Sequence, residues 1–178
     1  MKLFSEKKAL EELTWMRDSF AARIRDGFEH AAKDCLSCET KGACCLDAHF
    51  VNVRISRLEA TAMRAAIREL PADIQEKVVV RAAAAIEKYG LRSAEDHEVA
   101  TYACPLFEPA IGCLVHSTAK PFPCIAHACY EDREDLPPDE LLTSAEIAIA
   151  NLNRKVYGKP TATLPIPIAV IESVAKAT

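Results

Sequence analysis

Apolar residues recur at three-, four- and seven-residue steps over residues 5–33, and this spacing predicts one long amphipathic helix. The apolar stripe comprises Leu10, Leu13, Phe20, Ile24 and Phe28. Gly27 weakens the last turns, because glycine loses more backbone freedom than other residues on entering a helix. We interpret the stripe as a face that packs against the core.

Two further helices are predicted from their end signals. Ser56 followed by Glu59 matches a capping box and predicts a helix over residues 57–69. A second helix is predicted over residues 72–89, with Gly90 at its C-terminal cap. Its predicted buried side comprises Ile74, Val78, Ala82, Ala85, Ile86 and Tyr89.

The C-terminal part predicts a long helix over residues 139–157 that ends at Gly158. Three prolines then predict an extended passage, namely Pro160, Pro165 and Pro167. A final short helix is predicted over residues 168–177. Between the helices, alternating residues predict a strand over 51–55, and residues 93–96 predict a short helical turn.

Residues 101–135 follow a different pattern, because their prolines exclude a long helix. We expect a small hairpin across residues 108–112 and irregular backbone after it. The predicted fold class is mainly α: a small helical domain with an irregular, partly β cysteine-rich metal-binding region. Residues 1–178 are interpreted as a single domain whose metal-binding core, about 35–130, is flanked by N- and C-terminal helices.

Composition narrows the classes of function. The formal net charge is −4 without a concentrated basic face, so no nucleic-acid partner is expected. No apolar run reaches the roughly 18 residues of a membrane-spanning helix, so no membrane partner is expected. The first residues lack the apolar segment of a signal peptide. We therefore expect a cytoplasmic location, where thiols are kept reduced.

The candidate chemistry lies in eight cysteines: Cys35, Cys38, Cys44, Cys45, Cys104, Cys113, Cys124 and Cys129. Eight in 178 residues is about half the frequency of a disulfide scaffold, roughly 8–10%. Metal binding is therefore favoured over structural disulfides. Cys35-x2-Cys38 lets two thiolates from one turn reach one ion, whereas the alternative redox pair needs a βαβ setting that the pattern lacks.

The adjacent pair, Cys44 and Cys45, bears on the number of metal centres. Neighbours in extended backbone point to opposite sides, so two centres or one larger cluster are favoured over one shared ion. Two four-cysteine sites, or one site with additional reactive thiols, both remain open. His116 and His127 each follow a cysteine by three residues and are alternative zinc ligands or hydrogen-bonded neighbours. The other histidines are expected at the surface or beside the site; they are His30, His49 and His97.

The ordered motifs resemble the YkgJ-type CxxCxxCC family, whose members are described as zinc- or iron-chelating domains. The motifs are Cys35-x2-Cys38, Cys44-Cys45, the strand-like residues 51–55, Cys104-Pro105-Leu106-Phe107, Cys113 and Lys120-Pro121-x2-Cys124. The resemblance implies a shared metal site at the first seven cysteines, whereas Cys129 fits the pattern less well. The chain departs from that pattern with five residues before the double cysteine instead of two, and with Lys120 where arginine is usual.

Three functions follow as hypotheses. The first is a cysteine-cluster protein that holds zinc or iron, the iron alone or in an iron–sulfur cluster such as 4Fe-4S, and presents a surface to an unidentified protein partner. The second is an iron–sulfur-dependent redox or protein-modification enzyme, because the resemblance extends to flagellin lysine methylases. The third is a metal carrier. Four thiolates around a divalent ion leave a charge of −2, and nearby bases are candidates to offset it: Lys33, Lys41, Arg54, Lys120 and Arg133. No catalytic residue is assigned, and whether the protein is an enzyme is left open.

Overall fold

The structure of the chain is a computed structural model, and it confirms the mainly α fold class. It describes residues 4–32, 39, 42–46, 52–91, 101–109, 111–127, 130 and 132–175. The helices are α1 (Glu6–Gly27), α2 (Arg57–Arg68), α3 (Ala72–Tyr89), α4 (Phe122–Ala126), α5 (Asp139–Tyr157) and α6 (Ile166–Ala175). The strands are β1 (Arg54–Ile55), β2 (Phe107–Glu108), β3 (Gly112–Cys113) and β4 (Leu164–Pro165). Within the described ranges, none of these helices combines the length and apolarity needed to cross a membrane.

The chain divides into two compact units, each built from two separate segments. The first unit comprises Met1–Lys41 and Pro121–Thr161, and the second comprises Gly42–Lys120 and Ala162–Thr178. In the first unit α1, α4 and α5 pack against one another. The rings of Phe20 on α1 and Phe122 on α4 lie 5.3 Å apart between centroids. The other buried side chains of its helices include Ala9, Leu13, Ile24, Ile149, Leu152 and Val156.

The first helix is shorter than its hydrophobic pattern predicts. α1 ends at Gly27 instead of continuing to residue 33, and a short 3₁₀ turn, Glu29–Ala31, follows. Phe28 already has a φ of −136°, outside helical values, directly after the glycine that has little helix propensity. At the other end, the Tyr157 hydroxyl donates a hydrogen bond of 2.7 Å to the Glu6 carboxylate, which ties the start of α1 to the end of α5.

In the second unit, α6 packs against both α2 and α3. Its buried core includes Met63, Ile67, Val78, Ala82, Leu91, Tyr102, Leu106, Val115, Ile166 and Val170. β1 pairs antiparallel with β4, with Ile55 opposite Leu164. The buried Tyr102 hydroxyl donates to the Val53 carbonyl and accepts from the Ile166 amide at 3.1 Å. This hydroxyl therefore links the chain before β1 to the first residue of α6.

The predicted helix ends are confirmed in α2, α3 and α5. The Glu59 amide donates to Ser56 Oγ at 3.2 Å, and the Ser56 amide donates to Glu59 Oε2 at 2.8 Å, which forms the capping box. Gly90 caps the C-terminus of α3 and Gly158 caps that of α5, and both glycines have a positive φ. Left-handed backbone at a helix end favours glycine, because a Cβ is disfavoured there.

The predicted hairpin is also confirmed, because β2 pairs antiparallel with β3 and Glu108 lies opposite Gly112. The strand predicted over residues 51–55 is described only as the two residues of β1. The irregular backbone expected after the hairpin is wrong in part, because α4 forms there. α6 likewise begins at Ile166, two residues earlier than predicted. The turn predicted over residues 93–96 lies outside the described residues.

Candidate metal centre

Cys44 and Cys45 lie in a 3₁₀ turn, Ala43–Cys45, that begins after a left-handed glycine. Gly42 has a φ of 77°, and its carbonyl accepts a hydrogen bond of 2.7 Å from the Cys45 amide. The two sulfur atoms are 4.0 Å apart. The prediction that the two side chains point to opposite sides is wrong. It assumed extended backbone, whereas the backbone forms a 3₁₀ turn and the two thiols lie side by side.

Gly42 also sets how closely this turn approaches the hairpin. A Cβ built on Gly42 would overlap the ring of Phe107 on β2. Any other residue would therefore have to move the ring or the turn, in addition to adopting an unfavourable left-handed φ. The glycine is needed for the close contact between the turn and β2.

Cys104 precedes the hairpin that the turn contacts, and Cys113 lies on its second strand. The Cys104 amide donates a hydrogen bond of 2.9 Å to the Cys45 carbonyl. Cys113 lies directly opposite Phe107 in the β2–β3 register. Three segments of the second unit thus bring four thiols into one region, which we call the cysteine cluster: Cys44, Cys45, Cys104 and Cys113.

Burial raises the pKa of Cys104 from 9.0 to about 12. The negative charges of Cys113 and Cys44 contribute to this rise, because a thiolate at Cys104 would be repelled by them. Two groups act in the opposite direction: the Leu106 amide, which donates a hydrogen bond to the sulfur, and the positive charge of Arg81. The Leu106 amide and Arg81 therefore favour the thiolate form of Cys104, whereas burial and the neighbouring thiolates disfavour it.

The same balance applies at the other thiols. Burial raises the pKa of Cys113, whereas the Val115 amide and the charge of Lys120 lower it and Cys44 raises it. The hydrogen bond with Cys44 is the main cause that raises the pKa of Cys45, with burial and the other cluster thiols adding to it. These mutual effects show that the four thiols lie within electrostatic range of one another.

The backbone donors follow one pattern. In each case the amide belongs to the residue two positions after the cysteine, Leu106 after Cys104 and Val115 after Cys113. Both donor residues are almost fully buried in the core of the second unit, so the amides are fixed in place. Fixed N–H donors favour thiolate over thiol, and hydrogen bonds to sulfur tune metal–thiolate centres.

The remaining predicted cysteine ligands are Cys35, Cys38, Cys124 and Cys129. Cys124 is half-buried on α4 in the first unit. Cys35, Cys38 and Cys129 lie outside the described residues. Cys45, Cys104 and Cys113 are free thiols. Across the described ranges, no group of three or more histidine, cysteine, aspartate or glutamate side chains is arranged to hold an ion.

The histidines that can be placed are exposed. His116 follows β3, and its amide donates to the Cys113 carbonyl at 3.1 Å. His127 directly follows α4 in the first unit, and His30 lies in the 3₁₀ turn after α1. The surface position expected for His30 is confirmed. His49 and His97 lie outside the described residues.

Arg81 is a charged neighbour of the cluster that the sequence argument missed. Its Nη1 donates to Glu108 Oε2 at 2.8 Å, which joins α3 to β2. Of the bases proposed from the sequence, Lys120 acts on Cys113, whereas Arg54 donates to the Thr163 carbonyl at 2.8 Å. No local signal in the sequence identifies Arg81, because its contact with Glu108 spans a sequence separation of 27 residues.

Comparisons with known proteins add no relative. No family model matches the chain, and no curated protein or solved structure matches it closely enough to be counted as similar. The resemblance to the YkgJ-type family therefore remains a prediction from the order and spacing of the cysteines.

Proposed function

We propose that this protein binds zinc or iron through the thiolates of the cysteine cluster. One observation carries the proposal: the sulfurs of Cys44 and Cys45 lie 4.0 Å apart, and the Cys45 carbonyl accepts a hydrogen bond from the Cys104 amide, so cysteines from separate parts of the chain lie close together. Partly buried thiols that repel one another as thiolates are stabilised when a cation lies between them, because the cation removes the repulsion and takes up the charge.

The separation of Cys44 and Cys45 supports coordination of a common centre. Tetrahedral zinc with metal–sulfur bonds of about 2.3 Å places its ligand sulfurs about 3.8 Å apart. The observed 4.0 Å between the two sulfurs is close to that value, and a small side-chain rotation would remove the difference. One zinc ion, or one iron atom that binds both thiolates, is therefore compatible with this pair.

The remaining ligands of the proposal come from the resemblance. Cys35, Cys38 and Cys124 belong to the ordered motifs, and Cys129 is the least secure addition. With them the protein would hold a closed structural site, or an iron–sulfur cluster in a redox or modification enzyme. The proposal places the protein in the cytoplasm, where a reducing environment keeps thiols available for metal.

A metal carrier is a second candidate, and the exposure of the cluster supports it. All four thiols are only partly buried. Partial exposure gives a competing ligand a path to the metal, whereas a locked structural site excludes it. The rate at which a chelator removes bound metal distinguishes the two, because a carrier releases its ion quickly and a structural site releases it slowly.

The test is metal and acid-labile sulfide analysis of the full chain purified without oxygen, together with its visible spectrum. We expect stoichiometric zinc or iron, with sulfide and a brown colour if the centre is an iron–sulfur cluster. Changing Cys104 and Cys113 together to serine should lower the affinity at least about tenfold. Ser117→Ala in the exposed turn after β3 is the control and should leave it unchanged.

Two results would contradict the proposal. The first is an unaltered chain that binds neither metal at a stoichiometric level after anaerobic reconstitution. The second is a double serine variant that binds metal as tightly as the unaltered chain while the control behaves as expected.

A further inference from the structure

The guanidinium group of Arg81 is held beside the cysteine cluster by one of its three nitrogens. Nη1 forms the 2.8 Å ion pair with Glu108, and the two side chains are 31% and 24% exposed. Glu108 is on β2, whose other residue, Phe107, lies opposite Cys113 and donates its amide to the Cys104 carbonyl at 3.2 Å. The ion pair therefore attaches Arg81 to the hairpin that carries Cys113 and follows Cys104.

The other two nitrogens of Arg81, Nε and Nη2, are buried and have no hydrogen-bond partner among the described residues. Leaving buried donors unsatisfied costs roughly 1–3 kcal/mol, and more for a charged group, so such atoms call for an explanation. An anionic acceptor that is present only when the site is filled provides one.

The cluster supplies an acceptor of that kind. Arg81 is connected to the cluster through Glu108, whose neighbour on β2, Phe107, donates its amide to the Cys104 carbonyl. Thiolate ligands retain negative charge after they bind a divalent ion, and four of them leave a net charge of −2. Sulfur in a thiolate accepts hydrogen bonds, and such bonds from the surrounding protein orient and tune metal ligands.

We propose that Arg81 is the positioning residue of the metal centre: its unused guanidinium N–H groups donate to cluster thiolates when metal binds, and its charge offsets theirs. This inference rests on the proposed metal-binding function. Glu108 orients the guanidinium through Nη1 and at the same time places a negative charge near the thiolates. The two partners of one ion pair therefore act on metal affinity in opposite directions.

The opposite signs make the inference testable with four variants of the full-length, reduced chain. The measurement is the affinity for Zn²⁺ and for Cd²⁺ by competition with a chelator. Arg81→Met should weaken binding by about 10- to 100-fold, as is typical when a group that supports the ligands is lost. Arg81→Lys should recover part of the loss, because it keeps the charge but not the planar set of donors. Glu108→Gln should strengthen binding, because its amide oxygen still accepts from Arg81 without the negative charge.

The matched control is Lys77→Met, one turn earlier on α3. It also removes one positive charge and one ion pair, because Lys77 lies 3.6 Å from Asp73, but both side chains are largely exposed. It should leave metal affinity unchanged. Thermal unfolding of each metal-free variant shows whether the fold is retained, and if Arg81→Met does not fold, Arg81→Lys and Glu108→Gln decide.

The outcomes separate this inference from the function on which it rests. An unaltered chain that binds neither Zn²⁺ nor Cd²⁺ overturns both. Metal binding that is equally tight in the unaltered chain and Arg81→Met overturns only the role of Arg81. Weaker binding in Glu108→Gln as well as in the arginine variants would also overturn it. If the ion pair were purely structural, loss of either partner would lower the metal affinity.

Discussion

The helical part of the second unit and the cysteine cluster belong to the same compact body, but different interactions hold them. The helical part, formed by α2, α3 and α6, is stabilised by buried apolar side chains, such as Met63 and Val78, and by the capping box at Ser56. The cluster has thiols that are only half-buried. It is held by the hydrogen bond that the Cys104 amide donates to the Cys45 carbonyl and by the contact of Gly42 with Phe107.

This difference separates what the two parts respond to. Burial of apolar surface does not depend on pH or on ions, so the helical part should be insensitive to both. Thiols with raised pKa values respond to pH and to cations. A change aimed at one part should therefore leave the other largely unaffected, and four predictions test that separation.

The largest effect is expected from metal removal. Structural zinc contributes roughly 10–16 kcal/mol in small peptides, which is comparable with the stability of a whole domain. A chelator should therefore greatly accelerate hydrogen exchange at the Cys104 amide, which donates to the Cys45 carbonyl. Amides in the middle of α3 should change much less. Equal acceleration in both places, or in neither, would show that metal does not stabilise the cluster separately.

The next effect is expected from Gly42→Ala. The left-handed φ and the overlap with Phe107 should together lower local stability by about 2–4 kcal/mol and weaken metal binding. Gly90→Ala is a matched control, because φ is 62° there and no described atom lies within 4 Å of an added Cβ. It should lower the free energy of unfolding by about 1 kcal/mol and leave metal affinity unchanged. Equal losses of affinity in both variants would show that the contact with Phe107 is unimportant.

Val78→Ala should weaken the helical part by about 2–3 kcal/mol, because it removes fully buried methyl groups and leaves a cavity. Val80→Ala on the same helix is the control, since Val80 is 60% exposed, and should change stability by less than about 0.5 kcal/mol. Denaturant unfolding measures both values. Metal affinity should be equal in the two variants, and a loss confined to Val78→Ala would mean that the two parts are coupled.

The smallest effect is expected from alkaline pH on the metal-free protein. Because folding raises the pKa of Cys104 from 9.0 to about 12, its contribution to stability is complete below pH 9 and is lost as the pH rises toward 12. One thiol produces a slope of at most about 1.4 kcal/mol per pH unit. Unfolding measured from pH 8 to 10.5 should show a smaller slope in Cys104→Ser. The same slope in both proteins would assign the effect to other groups.

Local sequence signals were sufficient for most of the helices. The Ser56–Glu59 capping box and the left-handed glycines at positions 90 and 158 each act within a few residues, so the pattern alone identifies them. The early end of α1 was not predicted because the hydrophobic stripe continues past Gly27, whereas the helical backbone ends there. In that region propensity outweighs periodicity.

The prolines were the second source of error. Pro123 lies in the first turn of α4 and Pro167 in the first turn of α6. Proline lacks the N–H that has no partner in a first turn, so it is tolerated there and excluded only further along a helix. Irregular backbone at α4 and a late start for α6 were predicted because proline was treated as excluded from every helical position, including the first turn.

The candidate site was predicted in its residue types but not in its geometry. The proximity of Cys44 and Cys45 depends on a 3₁₀ turn that a single left-handed glycine, Gly42, initiates. Arg81 reaches the cluster through Glu108, across a sequence separation of 27 residues. Contacts of that range are set by how α3 packs, and no local pattern specifies them.

The pairing of β1 with β4 and the packing of α6 have a consequence for synthesis on the ribosome. The second unit needs the segment that begins at Ala162, which is translated after every other element of that unit. Until it emerges, the nascent chain exposes the apolar faces of α2 and α3, and the Tyr102 hydroxyl lacks the Ile166 amide. Long-range contacts of this kind delay folding and expose apolar surface to chaperones. Truncation before β4 should therefore yield aggregated or degraded protein instead of a smaller folded form.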